Sequence, residues 1–557
     1  MKEEHKNCKT CKIDFVLDQN DLSFYEKMKV TTPNTCPDCR FKMRSVWRNE
    51  NILYSGRKCD MCGKGIVTMY NPKSPYKVYC SDCYSSDNWD SREYAKEYDF
   101  SRAFFDQLNE LIQSVPKMNV YVTSSNGANI NSPFNNGFGG AKNCYFMFNG
   151  GPAEDTMYSR GVKDVREISD CYFSTKIENS YESVNVHNSA RIFYSQNINN
   201  SLDCYFSLNC NNCTNCFGCV NLNNKSNCFF NEQLSAEEFK EKLNEIMGSY
   251  SRIQEINKIF KENSLKYPRR ENNNIKTINC SGDYLTECKD VFNSLEVTKS
   301  QNCKYLCSSK EVKDSVGVWG YGIGGEYLLE VVSTGHSSNV IGSYGIDESM
   351  NIEYSFSCFP NNAYLIGCDS LKNSKYCILN KQYSKEEYEK IREHIIRELT
   401  DLGVYGLMIP SKLSPFAYNE TTAADNMPLT KEEALAQGFK WEDDIQKTEG
   451  KETLKPEEIP DHIKDIPDTF TKEVLVCVDC NRNYKITEQE LQFYKKMVLP
   501  IPRKCFYCRH KDRISNRGPY KFWDRNCMKC NKDINTNYAP DRPEIVYCEK
   551  CYQQEVY

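Results

Sequence analysis

The chain has only six histidines and five tryptophans in 557 residues, and no apolar run approaches membrane-spanning length. With so few histidines, and none in an HExxH or triad arrangement, His-rich metal sites and His-based catalysis have little to stand on. A membrane-spanning helix is excluded. Excess positive charge is missing too: the formal net charge is −5, so the chain as a whole lacks the field of a nucleic-acid binder. The opening MKEEHKNCKTCK has no apolar h-region, and the expected setting is reducing and cytoplasmic. No nucleophile elbow, kinase signature or phosphate loop is present. No catalytic residue or small-molecule substrate is assigned, and the reading leans away from an enzyme.

Cysteine is plentiful: 31 residues, an odd number that does not suit a disulfide framework. Sixteen stand in eight CxxC pairs at the two ends. The first end holds Cys8/Cys11, Cys36/Cys39, Cys59/Cys62 and Cys80/Cys83. The last end holds Cys477/Cys480, Cys505/Cys508, Cys527/Cys530 and Cys548/Cys551. The first interval is 24 residues in both copies, the second 19 and 18, the third 17 in both. FYEKMKVTTPNTCPDCR at 24–40 parallels FYKKMVLPIPRKCFYCR at 493–509, so the module is duplicated. Two CxxC turns supply a tetrahedral S4 site, and small domains with little apolar core depend on such a site to fold. Four structural Zn2+ ions are expected. Sequential pairing is favoured, with interleaved pairing left open. His5 and His510, beside CxxC pairs, are bystanders to full S4 sites.

CVDCNRNYKITEQELQFYKKMVLPIPRKCFYCRHK resembles the treble-clef zinc-binding domains with CxxC, an FY pair and CxxCR. CMKCNKDINTNYAPDRPEIVYCEKCY resembles the small zinc-ribbon family that ends in VYCxxC and an aromatic. The whole chain is similar to uncharacterised zinc-ribbon proteins of uncultivated bacteria. The resemblance implies structural zinc and no particular activity.

Between the modules, Cys/aromatic clusters recur about every twelve residues, as at Cys204, Cys216 and Cys228, with Asn, Ser, Asp and Gly between them. A fixed period of strand plus turn marks a solenoid. The expected fold is mainly β: two parallel β-helix-like solenoids with about twelve-residue half-turns, helical caps, and zinc-ribbon/treble-clef modules at both termini. An irregular antiparallel sandwich is the alternative. FGCVNLNNKSNCFFNEQLSAEEFKEKL at 217–243 aligns without gaps to IGCDSLKNSKYCILNKQYSKEEYEKIR at 366–392, so the solenoids are copies as well. Each copy ends in a helix-starting capping box, Ser235 with Glu238 and Ser384 with Glu387.

The expected order is a double-zinc module (1–98), helix and connector (99–142), first solenoid (143–232), capping helices (233–274), second solenoid (275–382), capping helix (383–404), acidic linker (405–473) and second double-zinc module (474–557). From 420 to 473 there are 15 acidic against 7 basic residues.

Two features carry functional weight. The run Cys210, Cys213, Cys216 and Cys219 reads either as core thiols, which the shared phase favours, or as a further zinc or iron–sulfur site. Basic runs follow the second CxxC of each module: Arg40, Lys42, Arg44 and Arg48 with Trp47, and Arg503, Lys504, Arg509, Lys511, Arg513 and Arg517 with Trp523. Cations neutralise phosphates and aromatic faces stack on unpaired bases, so RNA or DNA is the expected partner, RNA favoured. Homotypic protein contact through the modules is the alternative, and an enzyme using a solenoid groove or the Cys210–Cys219 run is a third reading.

Overall fold

A computed structural model describes residues 3–122, 127–320 and 323–556. Its centre is strand-rich: a ten-stranded and a twelve-stranded sheet, parallel throughout except for closing strands Glu232–Gln233 and Lys381–Gln382, which fold back antiparallel. The antiparallel sandwich is therefore not what forms. Pairing steps by twelve: Ile192 lies beside Cys204, Cys204 beside Cys216, and Cys216 beside Cys228. The second sheet steps the same way, with thirteen where one residue is inserted, as between Val316 and Leu329.

This register corrects one expectation. Twelve residues are not half of a turn, because residue i meets residue i+12 in parallel. The physical reason is a shorter period within the twelve. From Asn185 to Asn215 every third residue is left-handed, with φ between 45° and 57°. Each lap of the chain is thus four three-residue sides with a left-handed corner between them. Asparagine tolerates that conformation better than most residues. At the corners it also ladders: Asn185, Asn197 and Asn209 each donate an amide hydrogen bond to the asparagine twelve residues on, at 2.8, 2.8 and 3.1 Å. Where a corner is crowded the residue is glycine: a Cβ on Gly218 or Gly367, at φ 67° and 63°, would collide with the Phe230 or Phe104 ring.

The residue after each corner points inward. So narrow a lap admits only small or slim side chains, and Val186, Ser189, Ile192, Ser195, Ile198, Ser201 and Cys204 fill it in turn, all buried. The buried serines are satisfied at both ends of the hydroxyl. Ser195 Oγ donates to Phe193 O at 2.7 Å and accepts from Ser207 N at 3.0 Å; Ser201 Oγ repeats this with Asn199 O and Cys213 N. Each sheet thereby carries its own internal core. Outward-facing aromatics stack between laps, Phe193 on Tyr205 at 5.0 Å and Phe217 on Phe229 at 4.8 Å.

Parallel pairing already begins at Ile130 with Lys142, ahead of the expected start at 143. Helices Ala236–Ile246 and Lys385–Asp401 begin at the two capping boxes and pack on the last long strands, Ser226–Phe229 and Lys375–Ile378. The segment expected as an acidic linker is packed rather than free: Tyr405, Met408, Ile409, Phe416 and Tyr418 are buried against the N-terminal module. Each terminal module lies on the sheet of the opposite half. The Pro37–Ser45 helix packs on strands Lys313–Trp319 and Glu326–Val332, and the Phe506–Arg517 helix packs on Val165–Tyr172 and Thr175–Phe193. The modules also meet, with the Phe41 and Tyr520 rings 5.6 Å apart.

Candidate metal centres and arginine clamps

The sixteen terminal cysteines gather into four groups, and the grouping is sequential: Cys8, Cys11, Cys36 and Cys39; Cys59, Cys62, Cys80 and Cys83; Cys477, Cys480, Cys505 and Cys508; Cys527, Cys530, Cys548 and Cys551. Within each group all sulfurs lie within 4.8 Å of one another. One local design builds all four. The first CxxC forms a knuckle whose next residue is left-handed: Lys12, Gly63, Asn481 and Asn531, at φ 63°, 74°, 58° and 63°. Its amide returns to the first cysteine's carbonyl at 2.9–3.0 Å, which turns both thiols to one side. The second CxxC opens a helix, with Cys36, Cys80 and Cys505 at the N-cap, where the helix dipole favours a thiolate.

Amides point at sulfur as well: Cys36 N to Cys8 Sγ, Cys80 N to Cys59 Sγ and Cys548 N to Cys527 Sγ, each 3.2 Å. Burial pushes the Cys59 thiol up, but amides from Cys62, Cys80 and Met61 outweigh it and bring it to about 6. Across the pairs, Cys11–Cys36, Cys62–Cys80, Cys480–Cys505 and Cys530–Cys548 sulfurs are 3.6, 3.9, 3.7 and 3.7 Å apart. A tetrahedral thiolate site with metal–sulfur bonds of about 2.3 Å has edges of about 3.8 Å. The donor sets therefore fit a four-coordinate thiophilic ion.

Neither histidine joins a group. His5 is exposed, and buried His510 stacks on Phe506 and faces Asp425 at 3.7 Å. Cys210, Cys213, Cys216 and Cys219 are not among the candidate metal groups of the described residues. Three residues apart, they are the four inward positions of a single lap. Each is at most 1% exposed, and each thiol donates to the carbonyl two residues before it.

The basic runs are where structure and expectation part. Arg40 and Arg44, like Arg509, Arg513 and Arg517, are spaced by four along the helix that the second CxxC opens, and Arg48 keeps the spacing just past the end of its helix. They form one stripe, and the stripe faces inward. Arg40 Nη1 donates to Glu330 Oε1 at 2.7 Å and to Tyr25 Oη at 2.9 Å, while Arg44 binds the other Glu330 oxygen. Arg48 binds Glu50 and, at 2.9 Å, Ser333 Oγ. In the other module Arg509 and Arg513 share Asp170 Oδ1, at 3.0 and 2.7 Å, with Glu182 3.4 Å from Arg513. Arg517 binds Tyr172 Oη at 2.9 Å and Asn426 Oδ1 at 2.7 Å. Despite burial, the two guanidiniums hold the Asp170 carboxyl below its ordinary range.

Arg503 is buried on carbonyls of Ile501, Ile459 and Pro460, and Trp47 is buried with its indole N–H on Ile409 O. These eight side chains, six stripe arginines with Arg503 and Trp47, cannot reach a phosphate or a base as the chain is folded. Their charge is spent on carboxylates and carbonyls inside the molecule. At the surface remain Lys511, Lys504 between Asp479 and Asp512, Lys42 on Gln437, and half-buried Trp523 under Lys521.

Sequence reasoning missed the partner carboxylates Glu330, Asp170, Glu182 and Glu50. Two signals were available. Arginines every four residues share one helix face, and Glu330 interrupts an apolar run in YLLEVV; Asp170, in the mixed strand VREISDCY, gave no such signal.

No family model matches the chain, and no curated protein matches it. Among solved structures it is similar to a "putative acetyltransferase" from Desulfovibrio desulfuricans G20. The identity is 10% over 51% of this chain and 84% of that one, with a TM-score of 0.10. A likeness of that size carries no argument about fold or activity.

Proposed function

We propose that the chain is a non-enzymatic, zinc-stabilised scaffold. On this reading the parallel laps are two β-helices, the terminal modules are treble-clef and zinc-ribbon units each holding two Zn2+, and each module is a clamp on the β-helix of the opposite half. Zinc would set the helix start and so the direction of the arginine stripe; the stripe then seats on the carboxylates. The observation that carries the reading is the burial of both stripes on Glu330 and Asp170, each at most 1% exposed. Residues read from sequence as a phosphate-binding surface serve assembly of the molecule instead. What the scaffold presents outward is its lapped faces, to a protein partner or a second copy.

The test is purification of the native protein without nuclease, read by absorbance ratio and extraction. A protein free of nucleic acid at low salt is expected. Salt-sensitive RNA or DNA that is lost on replacing Lys42, Lys504 and Lys511 would overturn the reading and restore nucleic acid as the partner.

A further inference from the structure

Between the two sheets, beneath the segment that follows the Pro37–Ser45 helix, lies a cleft of about 360 Å3. That is the size of a small-molecule site, and a seam between two bodies is where such sites occur. The duplicated halves provide an internal comparison. Arg517 holds in the C-terminal module the place that Arg48 holds in the N-terminal one. Arg517 uses all three guanidinium nitrogens, on Gly518 O, Tyr172 Oη and Asn426 Oδ1. Arg48 uses Nε on Glu50 and Nη1 on Ser333; its Nη2 has no hydrogen bond among the described residues, although the side chain is only 7% exposed and lines the cleft.

The opposite charge stands one side away. Ser333 and His336 are successive left-handed corners, at φ 54° and 37°. Three extended residues span roughly 10 Å. At the His336 corner Asp347 Oδ1 lies 3.2 Å from His336 Nδ1, with exposed Glu348 next in the chain. Tyr344 and Tyr121 also line the cleft; Tyr344 stacks on Phe356 at 5.0 Å and meets Tyr121 at 5.7 Å. Asn149 Oδ1, also at the cleft, is a buried acceptor with no hydrogen-bond partner among the described residues.

We infer that this cleft binds a small zwitterion whose ammonium and carboxylate are several bonds apart, an ω-amino acid or a dipeptide. The carboxylate takes Arg48 Nη2, the ammonium takes Asp347 and Glu348, and the chain between them lies along Tyr344 and Tyr121. A guanidinium nitrogen that no described residue takes at one end and two neighbouring carboxylates at the other select for both charges at once, and for the span between them.

The test is titration calorimetry on the full chain with 6-aminohexanoate, alanyl-leucine, hexylamine, hexanoate and glycine. 6-Aminohexanoate or alanyl-leucine should bind saturably, and the stronger of the two names the source. The singly charged probes and glycine should bind at least ~10-fold more weakly. D347N/E348Q, at the rim, should weaken the zwitterion ~10-fold and leave hexanoate unchanged. Equal binding of hexylamine, no saturable binding of either zwitterion at ~10 mM, or indifference to D347N/E348Q would each overturn the inference.

Discussion

Arg40 and Glu330 lie 290 positions apart and meet at 2.7 Å, neither side chain more than 2% exposed. The bond joins the first module of the chain to a strand of its second sheet. Removing one partner of a buried pair costs more than the pair is worth, because the other charge is left unpaired. Glu330→Gln strands Arg40 and Arg44 together and should cost about 3–5 kcal/mol in denaturant unfolding. Replacing all three with apolar residues, Glu330→Leu with Arg40→Met and Arg44→Met, should recover most of that loss. A single variant as stable as the native chain would show that the clamp contributes nothing.

Metal content separates the two classes of cysteine. Elemental analysis should give four zinc ions per chain. Cys36→Ser should lose one ion and loosen its helix. Cys213→Ser should keep all four and cost little, since serine fills the same inward position at Ser189, Ser195 and Ser201. Loss of metal from the Cys213 variant would reopen the Cys210–Cys219 run as a site.

The second clamp carries a pH signature. Burial, with Asp170 alongside, pushes the Glu182 carboxyl up to about 7, while Arg513 and Arg509 pull it down. Asp512 also faces it. An unfolded glutamate releases its proton near the ordinary value of 4.5. Between those two values the folded state holds the extra proton, so stability from this group falls as pH rises and is flat above. Glu182→Gln should remove the slope, with a difference from the native chain growing to about 2–3 kcal/mol by neutral pH. Parallel stability curves for the two proteins across that window would contradict the assignment.

The corners make a third class of variant. Asn209 sits at φ 54° and donates an amide hydrogen bond to Asn221. Asn209→Ala should cost about 2 kcal/mol, from the left-handed backbone and the lost ladder bond together. Asn209→Gly should cost less, because glycine is free of the backbone penalty. Thermal or denaturant midpoints in the order native, Gly, Ala check both terms.

What could be read in the sequence follows from how local each signal is. The CxxC spacings carry the metal groups because ligation is written within a few residues. The capping boxes at Ser235 and Ser384 carry the helix starts for the same reason. The twelve-residue period was visible in Cys204, Cys216 and Cys228, but its meaning as a whole lap lies in the three-residue period of Asn185, Asn188, Arg191 and Tyr194. The inward positions share small size and not one chemistry, and the corners carry Asn, Arg and Tyr alike, so neither displayed the period. The clamps were not legible because Arg40 and Glu330 are joined by folding alone; charge clusters look alike whether they face water or a buried carboxylate 290 residues away.

The most direct measurement is hydrogen exchange by mass spectrometry on the zinc-loaded and the chelated protein. If the modules are metal-set clamps, chelation should release protection in 37–45 and 506–517. It should also release it in the strands beneath them, 326–332 and 165–172, while 196–228 stays protected. Helices that loosen over strands whose protection does not change would contradict the account.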